Sequence, residues 1–179
     1  TLNYQYSNEP EDHLKQLSTN LSNINGQNFV LGRRVHHTDM GNGSHNENVS
    51  ENPNFSALSN TLGPRYTNRS CVSCHQKNGR ALAGTAGTPL DKYSVFLGDS
   101  NGNPHPQLGR VFQAHSLSGN GEGTATLSSW TEANGLRTPN YAFSGVTPSN
   151  FSARIAPQLV GMGFLEAIDE LTLENLADP

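Results

Sequence analysis

The pattern that most constrains this chain is Cys71-Val72-Ser73-Cys74-His75, which contains both of its cysteines. The C-x-x-C-H spacing is the attachment motif of a c-type haem. Two thiols at this spacing add across two vinyl groups on one porphyrin edge, forming thioethers, and the next histidine reaches the iron from one face. The motif therefore predicts one covalently bound haem c, with Cys71, Cys74 and His75 as binding residues and His75 as an iron ligand.

Two other uses of a C-x-x-C pair compete with haem attachment. A redox-active pair in a thioredoxin-like fold lies between a strand and a helix, whereas residues 63–70 form a Gly-Pro turn and a polar segment. A zinc site needs two further ligands. His36, His37 and His45 could supply them, but the sequence contains no second spaced pair. The pattern favours haem over both alternatives.

The composition is typical of a polar domain rich in loops. The 179 residues include 21 Asn, 18 Ser, 18 Gly and 10 Pro, and only 33% are hydrophobic. No stretch is long and apolar enough to span a bilayer. The net charge is −4, and no basic run is longer than Arg33-Arg34, so the usual electrostatic signature of a nucleic-acid-binding protein is missing. We therefore expect neither a membrane span nor a nucleic-acid partner, and we expect a monomer.

Hydrophobic periodicity predicts mainly helices, with long irregular loops and a few short strands. Together with the haem motif, this predicts a mainly α fold with a c-type cytochrome-like helical core around one haem. Helices are predicted at residues 9–24, 29–37, 70–79 and 147–168. The short strands are predicted at residues 93–97, 124–130 and 141–143. The helix at 70–79 would carry the haem motif on its first turns. We expect a single domain over residues 1–179, with an N-terminal helix in 1–28 and the haem domain in 29–179.

Three blocks of the sequence resemble the di-haem oxidoreductase family. They are residues 63–80, which contain the haem motif, residues 136–141 and residues 152–168. That family is described as peroxidases or thiol oxidoreductases, similar to bacterial di-haem cytochrome c peroxidases. The resemblance extends over residues 29–179 and is most specific in the three blocks.

One feature of the family has no counterpart here. Its members carry a second C-x-x-C-H, whereas this sequence has no cysteine after Cys74. The chain is either the first-haem part of a larger protein or a mono-haem variant, and a two-haem peroxidase mechanism cannot run in it as given. The prediction is a mono-haem c-type cytochrome that carries single electrons. The alternatives are the peroxidatic half of a di-haem peroxidase-like enzyme and, with less support, a sensor of a small gas.

Several residues are candidates for the sixth ligand of the iron. Met162 is the leading candidate, because a thioether ligand raises the potential of a haem and the flanking glycines allow close approach to a flat porphyrin. Simple core packing is the competing interpretation of this methionine. Bis-histidine ligation through His36 or His37, ligation by Met40 and an open position are the remaining alternatives.

Arginines in the three blocks are candidates for binding the haem propionates, because guanidinium groups pair well with half-buried carboxylates. These arginines are Arg65, Arg69, Arg137 and Arg154. Ordinary surface exposure is the competing interpretation for each. Glu166 lies in an apolar context and is predicted to pair with Arg154 or cap a helix. In related peroxidases an acid near the haem assists peroxide cleavage, so the resemblance also allows a catalytic role for Glu166.

The resemblance implies a redox protein partner. Similar cytochrome domains occur in secreted bacterial proteins with carbohydrate-binding modules, where they supply electrons to copper polysaccharide monooxygenases. Such a monooxygenase is therefore one expected acceptor. Because bacteria attach haem to C-x-x-C-H outside the cytoplasm, we expect an exported protein, periplasmic or secreted, from which the signal has been removed.

Overall fold

Antiparallel strands, rather than helices, build most of the regular structure. The computed structural model describes residues 17, 21–47 and 49–177. This part of the chain has seven strands: β1 (Arg65–Tyr66), β2 (Thr88–Pro89), β3 (Tyr93–Gly98), β4 (His115–Ser116), β5 (Gly123–Ala133), β6 (Leu136–Gly145) and β7 (Asn150–Ile155). They pair as three antiparallel sheets, β1–β4, β2–β5–β6 and β3–β7.

The helices of the described residues are few and mostly short. They are α1 (Asn23–His37), α2 (Met162–Glu166) and α3 (Glu170–Leu176), with 3₁₀-helices at Ser56–Leu58, Cys71–Ser73 and Gln76–Asn78. The Ser22 hydroxyl caps α1 by accepting a hydrogen bond from the amide of Asn25. None of the described helices combines the length and apolarity that crossing a membrane requires.

The prediction of a mainly α fold is therefore wrong, and the reason lies in β5 and β6. Only Ala125 and Leu127 are buried on β5, and the rest of this long strand is largely exposed on both faces. A bulge between Leu127 and Ser129 then shifts the alternation that would identify a strand. The turn Asn134-Gly135, with φ of 53° and 75°, was the local signal for this hairpin.

The three strand predictions are confirmed, although β5 and β6 are longer than expected. The predicted helix at 29–37 lies inside α1, which begins earlier and passes through Gly26. In the region predicted as a helix from 147 to 168, β7 occupies residues 150–155 because they pair with β3, and only Met162–Glu166 is helical. Most of the helix predicted at 9–24 falls outside the described residues.

The apolar core lies in the β-body, which we define as residues 88–155. The buried cluster comprises Leu90, Tyr93, Val95, Leu97, Phe112, Ala125 and Leu127. Edge-to-face aromatic pairs join the sheets, with ring centroids 4.8 Å apart for Phe143 and Phe151. The β-body thus has a continuous core supplied by residues far apart in sequence.

The haem motif lies in a second region, the motif segment, which we define as residues 33–80. Its only strand, β1, pairs with β4 of the β-body, and the last turns of α1 pack on the Cys71–Ser73 turn. The prediction of one continuous helix at 70–79 is wrong. Lys77 and Asn78 adopt left-handed φ of 55° and 58°, a conformation that cannot continue a right-handed helix.

Candidate haem-binding site

The C-x-x-C-H motif forms a tight turn on the surface of the motif segment. The amides of Cys74 and His75 both donate to the carbonyl of Cys71, at 3.2 and 3.0 Å. Both cysteines are free thiols and half-buried. The two sulfurs are therefore held on one short turn, reachable from solvent and not consumed by a disulfide, as attachment of a prosthetic group requires.

His75 is oriented by a residue that lies 82 positions away. Its Nδ1 is 2.7 Å from the carbonyl oxygen of Pro157. A carbonyl can only accept a hydrogen bond, so Nδ1 carries the hydrogen and Nε2 keeps the lone pair that binds a metal. Metal-binding histidines generally donate their other ring N–H in this way. Spacing in the sequence gave no signal for Pro157, because the contact joins the turn to the loop after β7.

The environment of Cys74 differs from that of a redox-active thiol. Burial raises the pKa of the Cys74 thiol, and the nearby Cys71 adds to this, despite a 3.1 Å hydrogen bond from the Asn68 amide to Cys74 Sγ. Reactive cysteines have a lowered pKa, often at a helix N-terminus after a strand. Here the pair lies on a 3₁₀ turn after an irregular segment. These observations argue against a pair suited to thiol–disulfide exchange.

His36, on the last turn of α1, lies beside His75. The two ring centroids are 6.2 Å apart, with an angle of 59° between the ring planes. Both ring nitrogens of His36 are inaccessible to solvent and have no hydrogen-bond partner. Burial lowers the pKa of His36, and the neighbouring His75 and Arg33 lower it further, so the ring is neutral. A neutral buried imidazole is the form that binds metal.

His37 and His45 form a packed pair behind His36. Their rings stack at 5.3 Å, and the His37 side chain is completely buried. The Glu47 carboxylate lies 3.7 Å from His37 Nδ1, and the Glu47 carbonyl lies 2.7 Å from His45 Nδ1. Burial dominates over that carboxylate and lowers the pKa of His37 to about 4. This pair supports the loop that follows α1.

The ligand arrangement fits haem better than zinc. Within residues 21–47 and 49–177, no three His, Cys, Asp or Glu side chains come together as a metal site. A structural zinc needs four protein ligands. A haem iron takes four equatorial nitrogens from the porphyrin and needs one or two protein ligands, which His75 and a residue opposite can supply.

The four arginines predicted to bind propionates have other partners. Arg69 Nε donates to both oxygens of the Asp39 carboxylate, at 3.0 and 2.8 Å. Arg65 Nη1 lies 3.7 Å from the buried Glu122 carboxylate. Arg65 and Arg69 are close to the motif in sequence, and in the structure both are already paired with carboxylates. Their role in binding a haem propionate stays a prediction.

Arg137 and Arg154 lie on the β-body. Arg137 is paired with Glu132 across the end of the β5–β6 hairpin at 3.0 Å and covers the Trp130 ring. Arg154, on β7, donates to the Ser152 hydroxyl at 3.1 Å and lies over the ring of Phe96. These contacts belong to the sheets, and nothing in them brings either guanidinium to the motif.

Met162 and Glu166 stand at the two ends of α2. Met162 is 52% exposed, and Glu166 is exposed as well. Met40 is half-buried in the loop after α1, where its amide donates to the Arg69 carbonyl at 2.8 Å. The ligand role of either methionine stays a prediction.

A family model described as di-haem oxidoreductase, putative peroxidase, matches residues 20–104. The matched range contains α1, the motif and β3, and it confirms the resemblance to this family there. The two later blocks, at 136–141 and 152–168, lie outside it. No curated protein and no solved structure matches the chain.

Proposed function

We propose that this chain, whose residues 20–104 match the di-haem oxidoreductase family, is a mono-haem c-type cytochrome that transfers single electrons. The observation that carries the proposal is the orientation of His75. Its Nδ1–H is bound to the Pro157 carbonyl, so Nε2 is the nitrogen free to bind iron. The two half-buried thiols lie on the same turn.

Each residue of the motif has a distinct task in this proposal. Cys71 and Cys74 would hold one haem as thioethers on the same turn. His75 would bind the iron, and the Pro157 carbonyl makes its imidazole a stronger electron donor by accepting the Nδ1 hydrogen. The bound haem supplies a one-electron couple, while the protein determines orientation, burial and access.

The redox partners in this proposal are proteins. A secreted copper polysaccharide monooxygenase is the acceptor to test first, and this choice rests on the resemblance alone. The proposed location is the bacterial periplasm or the exterior, because that is where haem is attached to a C-x-x-C-H motif. The monomeric state belongs to the same proposal.

Intact-mass analysis of material matured in a bacterial periplasm tests the proposal first. We expect the polypeptide plus one haem, retained after extraction with acidified organic solvent. A Cys71→Ala/Cys74→Ala variant is the matched control and should yield the bare chain. Bare polypeptide in the wild type would refute the proposal.

Spectra and kinetics then separate an electron carrier from a peroxidase. We expect a low-spin ferric haem that does not react with peroxide. When reduced, the haem should not bind carbon monoxide and should pass its electron to a copper monooxygenase within seconds. A high-spin haem that turns over peroxide with a reductant would instead support the peroxidase alternative. Glu166→Gln would then test the acid, with loss of turnover as the supporting result.

A further inference from the structure

We propose that His36 is the second axial ligand, so that the iron is held between two imidazoles, those of His75 and His36. This inference rests on the proposed haem site and specifies its ligand set. It is carried by three observations on His36: the state of its nitrogens, its separation from His75 and the rigidity of the helix that bears it.

The ring nitrogens of His36 lack any partner. Both are inaccessible to solvent, and neither makes a hydrogen bond. Buried polar atoms in folded proteins are nearly always satisfied, and an exception calls for an unseen water, ion or ligand. A metal bound to one of these nitrogens would satisfy it.

The separation of the two rings matches a shared metal ion. Imidazole nitrogens bind metals at about 2 Å, so the centroids of two rings on opposite sides of one ion are about 6 Å apart. The observed distance between His36 and His75 is 6.2 Å. The 59° angle between the planes does not oppose this, because turning either ring about its metal–nitrogen bond leaves the separation unchanged.

Helix α1 holds His36 in place. Arg33, three residues earlier, is paired with Glu47 at 2.8 Å. Arg34 donates to the carbonyls of Pro53 and Asn54, at 3.0 and 3.1 Å. These contacts fix the last turns of the helix against the loop that follows it. An axial ligand on a rigid helix is preorganised for binding.

The other candidates fit less well. The ring nitrogens of His37 also lack a hydrogen bond, but the His37 ring faces Glu47 and its ring neighbours are His36 and His45, whereas the His36 ring lies against His75. Met162 is half exposed at the start of α2. Two histidine ligands give a lower potential than a histidine–methionine pair, because a thioether raises it. They also leave no open position for peroxide.

Spectroscopy of the periplasmically matured holoprotein tests the ligand. We expect the wild type to be low-spin, with no sulfur-to-iron charge-transfer band. His36→Ala should become high-spin and bind carbon monoxide when reduced, and added imidazole should restore the low-spin spectrum. His36→Met should gain the sulfur-to-iron band and a higher potential. Met162→Leu is the matched control and should leave the wild-type spectrum unchanged.

Several results would overturn this ligand assignment. A sulfur-to-iron band in the wild type that disappears in Met162→Leu would identify the methionine instead. An unchanged low-spin spectrum in His36→Ala would exclude His36. The intact mass of each variant shows whether one haem is attached. If His36→Ala carries one haem and its spectrum is unchanged, only the ligand assignment is refuted. A bare wild-type chain would refute the haem site itself. Near-ultraviolet signals of Trp130 report that the β-body is folded.

Discussion

The β-body and the motif segment bury different chemistry. In the β-body, the interior is mostly apolar: Leu127 is fully buried in a cluster formed by β3, β5, Leu90 and Phe112, and the buried Glu122 carboxylate accepts a hydrogen bond from the Gln113 amide. In the motif segment, the most buried side chain is that of His37, with Thr38 close behind. The β-body is therefore stabilised mainly by the removal of apolar side chains from water. The motif segment instead buries polar groups, which need hydrogen-bond partners.

The two regions also differ in their buried side-chain nitrogen and oxygen atoms that lack a hydrogen bond. Among the described residues, the buried side-chain nitrogen and oxygen atoms without a hydrogen bond belong to Arg33, His36, His37 and Asn78. All four residues lie in the motif segment, and none lies in the β-body. The two regions are joined by specific contacts, such as the pairing of β1 with β4 and the hydrogen bond from the Leu117 amide to the Pro64 carbonyl. The polar interior of the motif segment is therefore less fully hydrogen-bonded than the largely apolar interior of the β-body.

The largest expected effect comes from preventing haem attachment. In a Cys71→Ala/Cys74→Ala variant, we expect backbone amides of the motif segment to exchange about 1000-fold faster, equivalent to about 4 kcal/mol. Amides of β3, β5 and β6 should change little, because the apolar core of these strands lies outside the proposed haem site. Hydrogen exchange with mass spectrometry gives both values in one experiment. Equal loss of protection in both regions would contradict the contrast.

A core substitution is expected to act on the other region. Leu127→Ala should lower the free energy of unfolding by about 3 kcal/mol, because it removes hydrocarbon and leaves a cavity in a tightly packed site. Denaturant unfolding followed by Trp130 fluorescence measures it. Leu136→Ala is the matched control, since that side chain is 72% exposed, and its effect should stay within about 0.5 kcal/mol. A small effect of Leu127→Ala would show that the β-body is not the stable part.

The smallest expected effect depends on pH. Burial raises the pKa of Asp39, but hydrogen bonds from the Arg69 guanidinium and the Gly41 amide outweigh it and hold that pKa below its usual value. The carboxylate therefore stabilises the fold above pH about 4, and this stability is lost as the pH falls through the lowered pKa. Asp39→Asn should cost about 1 kcal/mol at pH 7 and less at pH 3.

The control for Asp39 is the exposed pair of the β-body. Glu132 and Arg137 lie 3.0 Å apart with both side chains more than half exposed. Glu132→Gln should change the free energy of unfolding by less than about 0.5 kcal/mol, because water screens such pairs. Urea unfolding at pH 7 and pH 3 compares the two variants. An equal loss of unfolding free energy for Asp39→Asn at pH 7 and pH 3 would show that the Asp39 carboxylate does not provide the pH-dependent stability.

Local chemistry in the sequence was enough to locate the haem motif. The two thiols and the imidazole all lie within the five residues from Cys71 to His75, and the match to the di-haem oxidoreductase family model includes these residues. The strand at Tyr93–Gly98 was also predictable, because its buried and exposed residues alternate. The alternation of β5 could not be followed in the same way, because a bulge interrupts it and its end is exposed on both faces.

The two thiols and the imidazole at the spacing of a c-type haem site can be read from residues 71–75 without a structure. Which residues surround that imidazole depends on the folded chain, which brings the Pro157 carbonyl to one ring nitrogen and places the His36 ring, whose nitrogens have no hydrogen bond, beside it. The physical reason is the range of the interactions. A short turn is set by neighbouring backbone bonds, whereas these contacts depend on how strands pair and where α1 packs, which no local spacing encodes.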